Sequence, residues 1–454
     1  MTATLDRPTR LEPRSHRIDV WDPEDEQAWQ AGGAAIARRN LVFSILSEHI
    51  GFSVWSLWSV LVLFLGPQYG FQPEDKFLLT IVPTLVGSVL RLPYTFAVAT
   101  FGGRNWTVVS ALLLLVPTVA AMVVLQPGVS LGTLLVVAAL AGVGGGNFAS
   151  SMANINAFYP TRLKGRALGL NAGGGNLGVP VVQLVGLAVL GTVGAAHPRV
   201  LLGVYLPLVV VVAGLAWRNM DNLTSARNDK RAMRDVCRDG HTWVLSLLYI
   251  GTFGSFIGFG FAFGQVLQVQ FKADFPTPLD AASLTFLGPL LGSLVRPVGG
   301  LLADRFGGAR VTFWNFVAMA GGAVVVLTAS RQESLPLFLV GFVLLFVLSG
   351  LGNGSTYKMI PAVFRAKSQL LVAAGADATT SDREARRLSG ALIGIAGAIG
   401  AFGGVLVNVA FRQSFLTTGG GDRAYVAFLV FYGVCVLVTW TVYLRPSPRR
   451  LAGV

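Results

Sequence analysis

Windows of roughly 20 apolar residues recur along almost the whole chain, broken by short stretches rich in Lys, Arg, Gly and Pro. Each window is long enough to cross about 30 Å of hydrocarbon as a helix. The pattern predicts twelve helices, at 41–66, 77–100, 105–126, 131–158, 166–194, 198–217, 241–270, 281–306, 309–330, 335–365, 389–412 and 422–445. Residues 1–40 are polar and mixed in charge, as in Trp21-Asp22-Pro23-Glu24-Asp25-Glu26, and read as a tail with no cleavable signal peptide. A longer charged stretch, Arg218 to Gly240, carries Arg227, Lys230, Arg231, Arg234 and Arg238 and splits the helices into two sets of six. The expected organisation is a tail 1–40, a bundle 41–217, a linker 218–240, a second bundle 241–445 and a tail 446–454. This is an all-α integral membrane protein whose two six-helix bundles are pseudo-symmetric.

Composition agrees with that class. Of 454 residues, 53% are hydrophobic and 13% charged, about half the charged share of an ordinary soluble domain. With the N-terminus and the even-numbered loops on the cytoplasmic side, only Lys76, Arg199, Lys272, Arg331, Arg412 and Arg423 of the 35 Lys and Arg fall on the other. The positive-inside bias therefore predicts a multi-pass protein of the cytoplasmic membrane with both termini cytoplasmic. It also accounts for the net charge of +13 without a nucleic-acid partner. A polar stretch, 366–388, is read as a further cytoplasmic loop. Cys237 and Cys435 have no plausible mutual bridge, and the sequon Asn353-Gly354-Ser355 falls in a helix, where it is a chance match.

Three cations fall well inside predicted helices, away from their ends: Arg91, Arg296 and Lys358. Arg91 and Arg296 are each followed at the same interval by a glycine pair, Gly102-Gly103 and Gly307-Gly308, so they occupy matching places in the two halves. A charge at the bilayer centre costs about 3 kcal/mol on insertion scales, and such residues mark ion or substrate paths. An ion pair with a neighbouring acid is the alternative, but Glu48 is the one acid well inside a predicted span. Two guanidiniums with at most one carboxylate leave positive charge for an anionic substrate to balance. The planar donor fork of Arg suits a planar oxyanion.

Four further groups stand out. Glycine runs close helix four (Gly142 to Met152) and open helix five (Gly169 to Gly178), with a shorter run, Gly350 to Thr356, in helix ten. They lack the Lys-Ser/Thr of a phosphate loop and read mainly as close helix packing, with Asn176 and Asn353 as side-chain donors for an anion. Phe52, Trp55 and Trp58 in helix one, with Tyr249 and Phe253 on one face of helix seven, are either packing residues or a clamp for a small flat anion. Glu48-His49 is either an interfacial pair or a titrating group that carries protons as access alternates. Lys358 either snorkels to the cytoplasm or adds positive potential on the exit path.

The segments Gly142–Gly178, Leu290–Arg296, Asp304–Gly308 and Gly350–Thr356 resemble the nitrate/nitrite porter (NarK-type) family of the major facilitator superfamily, and the likeness covers nearly the whole chain from about residue 40. The resemblance implies two six-helix bundles that rock about a central site. It implies that Arg91 and Arg296 clamp substrate, that Phe148, Asn176, Tyr249 and Phe253 complete the pocket, and that Phe52 lies beside it. Antiporter-like members have no obvious titratable residue on the path, whereas this chain has Glu48-His49 and Lys358. The segment Ser47–Trp55 looks more like the symporter-type branch, so nitrate/proton symport and nitrate/nitrite antiport both stand.

The expected function is alternating-access transport of nitrate and nitrite, by a monomer in the lipid bilayer that needs no cofactor or metal and is not an enzyme. An organic-phosphate exchanger would call for more cavity Lys or His than Lys358 and His49. A haem-bearing anchor would need paired axial ligands, and of His16, His49, His197 and His241 only His49 is clearly inside a span. A non-transporting anion sensor remains, without a visible signalling domain.

Overall fold

The computed structural model of the chain describes residues 16–225, 228–446, 451 and 453–454. The expectations for residues 1–15, for Arg227 and for most of the C-terminal tail lie outside the described residues. Twelve helices are long and apolar enough to cross a membrane: α1 (Glu26–Phe64), α2 (Pro73–Phe101), α3 (Gly103–Val124), α4 (Leu131–Phe158), α5 (Thr161–Val193), α6 (Pro198–Asn219), α7 (Gly240–Gln270), α8 (Pro278–Phe306), α9 (Gly308–Arg331), α10 (Leu335–Ala373), α11 (Ala378–Thr418) and α12 (Asp422–Leu444). All twelve expected spans are present.

Local chemistry repeats between the halves where the arginines sit. Both α2 and α8 open on a proline at the first turn and a capping box, Gln72 with Asp75 and Thr277 with Asp280. Both end on a glycine in a conformation that a side chain would resist, Gly102 at φ 87° and Gly307 at φ 91°. The paired starts and stops hold Arg91 and Arg296 at equivalent depths. Inside each half, α2 lies along α4 and α8 along α10. Between the halves, α2 runs along α11 and α5 along α8, the same pairing related by the pseudo-twofold axis.

One side of the molecule is closed. Away from the termini, Gln183 on α5 donates to the Gly260 carbonyl on α7 (2.9 Å), and Gln265 on α7 donates to the Pro73 carbonyl at the start of α2 (2.5 Å). Thr80 on α2 donates to Asn408 Oδ1 on α11 (3.0 Å), and Trp55 meets Phe261 edge to face at 5.4 Å. On the side of the termini a cavity of ≈ 30 Å³ runs from Phe148 and Gly397 toward Asn156 and Gly390. That is room for about one water.

The helix ends differ from the expected ones. α1 begins at Glu26 rather than 41, with a wide turn at Trp29–Gly33, and the expected loop 366–388 shrinks to a turn at 374–377 between α10 and α11. Hydropathy measures what lipid tolerates, and a helix continues into water wherever its polar side chains pair along it. Arg386 bonds Asp382 one turn back, and Arg387 bonds Glu384 at 2.7 Å. Arg387 also reaches the linker, bonding Asp229 (2.5 Å) and Asp235 (3.0 Å) at the short helix Lys230–Cys237. This guanidinium holds the Asp229 carboxyl below its usual range.

The chain before α1 is tied down. Arg17–Ile18 (β1) pairs in parallel with Asn222–Leu223 (β2), and His16 Nδ1 lies 2.8 Å from the Met220 carbonyl. Glu24 caps α5, accepting from Thr161 N–H (2.8 Å) and Oγ (2.6 Å). The clasp turns on buried Asp221, which accepts from Arg39 Nη2 (2.5 Å) and Asn40 Nδ2 (2.8 Å). Asp221→Ala is expected to cost about 1–3 kcal/mol, because it strands two donors in a closed site. A thermal melt in detergent measures this, and an unchanged midpoint would refute the assignment.

Candidate functional site

Arg91 is 0% exposed and Arg296 5%. Arg91 donates from Nε to the Gly145 carbonyl on α4 (3.1 Å) and from Nη1 to the Gly397 carbonyl on α11 (2.8 Å). The two bonds tie the guanidinium to both halves of the molecule. Its third nitrogen, Nη2, is buried without a partner. Arg296 donates from Nη2 to Tyr249 Oη (3.3 Å), and its Nη1 is likewise buried without a partner. Neither arginine forms a salt bridge among the described residues, so the ion-pair alternative does not describe them. The two guanidiniums are close enough to repel, and both act on Glu48.

Aromatic rings link the two arginines. The Arg91 Cζ stands 4.5 Å from the Phe148 ring centre, 4.9 Å from Phe253, 5.5 Å from Trp55 and 6.0 Å from Phe52. Phe148 stacks on Phe253 at 5.9 Å, and Phe253 on Tyr249 at 5.3 Å, so a continuous stack leads from one arginine to the other. Tyr249 precedes a wide helical turn, Ile250–Gly254, in the middle of α7, and Phe253 lies within it. Turns of this kind recur at functional sites. Here Gly254 meets Gly403 of α11 backbone to backbone, with no room for a side chain on either. The ring faces turn toward the cations, an arrangement worth about 0.5–2 kcal/mol per contact when dry.

The expected amides are present and unsatisfied. Both side-chain atoms of Asn176 on α5 and of Asn353 on α10 are buried without partners. So are both of Asn147 on α4, which the sequence reading passed over. Buried amides normally find partners, because leaving each group unmade costs about 1–3 kcal/mol. Tyr357 was also missed: its ring lies 5.9 Å from the Arg296 Cζ and 6.1 Å from Tyr249, and its hydroxyl is buried without a partner. Asn353 and Tyr357 share a helical face one turn apart, as do Asn147 and Ser151, and that polar i,i+4 spacing in an apolar helix is the signal that was available.

Trp58, His49 and Lys358 lie apart. Trp58 is in the apolar core of the first bundle. His49 points its Nδ1 at the Gly174 carbonyl (3.2 Å) and has no bond to either arginine. Lys358 is paired with Asp304 at 2.7 Å and half-exposed on the terminal side, so it acts as a tie between α10 and α8. Glu48 is 0% exposed beside the arginines, bonded to α4 and α5.

Two pseudo-symmetric bundles around a dry, unbalanced pair of cations are the architecture of an alternating-access carrier. The family model described as Major Facilitator Superfamily matches residues 44–406. The nitrate/nitrite transporter NarU of Salmonella typhimurium is 39% identical over 95% of this chain and 97% of its own. The probable nitrate/nitrite antiporter NarK2 of Thermus thermophilus is 34% identical over 95% and 98%. A partially occluded inward-open structure of the E. coli xylose transporter XylE superposes with a TM-score of 0.67, covering 91% of this chain and 99% of that one, at 12% identity, a likeness of fold alone. The chain belongs to the Major Facilitator Superfamily, and within it to the nitrate/nitrite porters.

Proposed function

We propose that this chain carries nitrate and nitrite across the cytoplasmic membrane by alternating access, as a monomer with both termini in the cytoplasm. The observation that supports it most is the pair of unpartnered guanidinium nitrogens, Arg91 Nη2 and Arg296 Nη1, facing a dry site with no carboxylate bonded to either. A planar anion between them accepts from both, while Asn176, Asn353 and Tyr249 fix its edge and Phe148, Phe253 and Phe52 close over its faces. Neutralising the two cations removes the repulsion that opposes drawing the halves together. A loaded carrier then crosses more readily than an empty one. The relatives named above as nitrate/nitrite transporters, and the bias of Lys and Arg toward the terminal side, support the substrate and the orientation.

Proteoliposomes preloaded with nitrite are the test. Labelled nitrate is expected to enter by exchange, and glycerol phosphate at equal concentration is expected to leave that uptake nearly unchanged. Its headgroup carries more charge and bulk than a site between two buried guanidiniums packed with aromatic rings admits. Potent competition would favour an organic-phosphate exchanger, and binding without entry would favour a sensor.

A further inference from the structure

Glu48 is a buried carboxyl that the anion site leaves unused. Its Oε2 accepts from Ser151 Oγ on α4 (2.5 Å) and from Asn171 Nδ2 on α5 (2.6 Å), while Oε1 has no partner. Asn171 also bonds Ser151, which in turn lies 3.0 Å from Ser44 Oγ, yet Asn171 Oδ1 is buried and unpartnered. The cluster therefore holds two acceptor oxygens without donors. A proton on Oε1 would add a donor to it. The free oxygen presses on the backbone of Gly175, where even a methyl group would collide with it. The next residue on α5 is the site amide Asn176.

The charged and titratable groups around Glu48 are few. From α2 and α8, Arg91 and Arg296 act on it favourably, and from α7 and α10 Tyr249 and Tyr357 lie within its field. The neighbours contributed by α4 and α5, Ser151 and Asn171, are neutral. On its own helix, His49 is turned to the Gly174 carbonyl. Glu48 and a bound anion thus draw on the same two cations.

We propose that Glu48 is the proton site of a coupled carrier, taking up one proton at Oε1 as the anion settles between Arg91 and Arg296, so that both cross together. The inference rests on the anion-transport reading above and deepens it. Two negative groups in one dry site disfavour each other, so a bound anion favours the neutral acid. By reciprocity, a proton on Glu48 strengthens anion binding by the same factor. The step makes one O–H bond with a proton drawn from the water on the loading side, and breaks it again after the halves have rocked. Gly175 lets the carboxyl lie against α5 beside Asn176, so loading of the proton is felt by the helix that holds the anion.

The experiment compares the wild type with Glu48→Gln in proteoliposomes, under an inward proton gradient without internal anion and, separately, with internal nitrite. The wild type is expected to accumulate nitrate under the gradient. E48Q mimics the neutral acid, so its gradient-driven uptake should fall by about 20-fold or more, while its exchange persists and no longer weakens as the pH rises. Undiminished gradient-driven uptake by E48Q overturns the proposal. A wild type that exchanges but never responds to the gradient also overturns it and leaves the anion reading intact. A wild type that exchanges nothing overturns both. Should E48Q fail to fold, addition of nitrate to purified wild type in weak buffer decides the matter: about one proton taken up per nitrate bound supports the assignment, and none refutes it.

Discussion

Replacing Arg91 or Arg296 by Lys is expected to reduce nitrate transport by about 100-fold, although the charge is kept. The estimate follows from what the fork does here. Arg91 spends two nitrogens on the Gly145 and Gly397 carbonyls and offers the third, Nη2, to the site. A lysine has one nitrogen, so it must choose between bracing the two halves and meeting the anion. Losing one or two charge-assisted hydrogen bonds costs about 3 kcal/mol, which is two decades in affinity. Arg296 has a single brace, to Tyr249, so Tyr249→Phe should loosen it and weaken nitrate uptake by about tenfold, roughly one hydrogen bond to a charged group. Initial rates over a range of nitrate concentrations in proteoliposomes check both. Elution as a single species in detergent would separate loss of binding from loss of fold. Wild-type uptake and half-saturation in either Lys variant would refute the clamp.

The transmembrane architecture was legible because lipid enforces it: every spanning segment must be helical and continuously apolar, and each window of that kind became a helix. The arginines were legible for the same reason, since a charge in such a window stands out. Helix ends were not, and this left Glu48 between an interfacial and a titrating reading. With α1 expected to start at 41, both readings stood; with its start at Glu26 and the clasp of residues 16–25 beneath it, the carboxyl is buried in the molecule. His49, its neighbour in sequence, points elsewhere, because consecutive residues on a helix are about 100° apart. Phe148, Phe253, Tyr249 and Phe52 were expected together through family resemblance, and the packing brings the three phenylalanines around Arg91 and Tyr249 onto Arg296. Asn147, Ser151, Asn171 and Tyr357 were hidden inside runs that draw the eye to glycine or to Lys358. Their partners sit on other helices, and periodicity within one helix says nothing of those.

The glycine runs look alike in sequence, yet the structure separates them, and substitution is expected to follow the structure. Gly354→Ala should disable the protein, whereas Gly173→Ala should leave it nearly unchanged. A methyl on Gly354 would collide with the carbonyl oxygen of Arg296 and with the Gly299–Gly300 backbone of α8. Backbone has no rotamer with which to give way, so α10 and α8 must part and carry the Arg296 side chain away from Tyr249. Overpacking of this kind costs about 1–3 kcal/mol, and here the strain falls directly on the clamp. In the first half Gly142 and Gly145 of α4 lie in the same way against the Gly87 backbone of α2. Gly173, in the middle of the glycine run of α5, has open space where its Cβ would stand, so an alanine there should gain up to about 1 kcal/mol of helix propensity at no steric cost. The comparison needs only expression, a melting curve and an exchange assay on the two variants. If both Gly→Ala changes behave alike, close approach of α10 to α8 does not position Arg296.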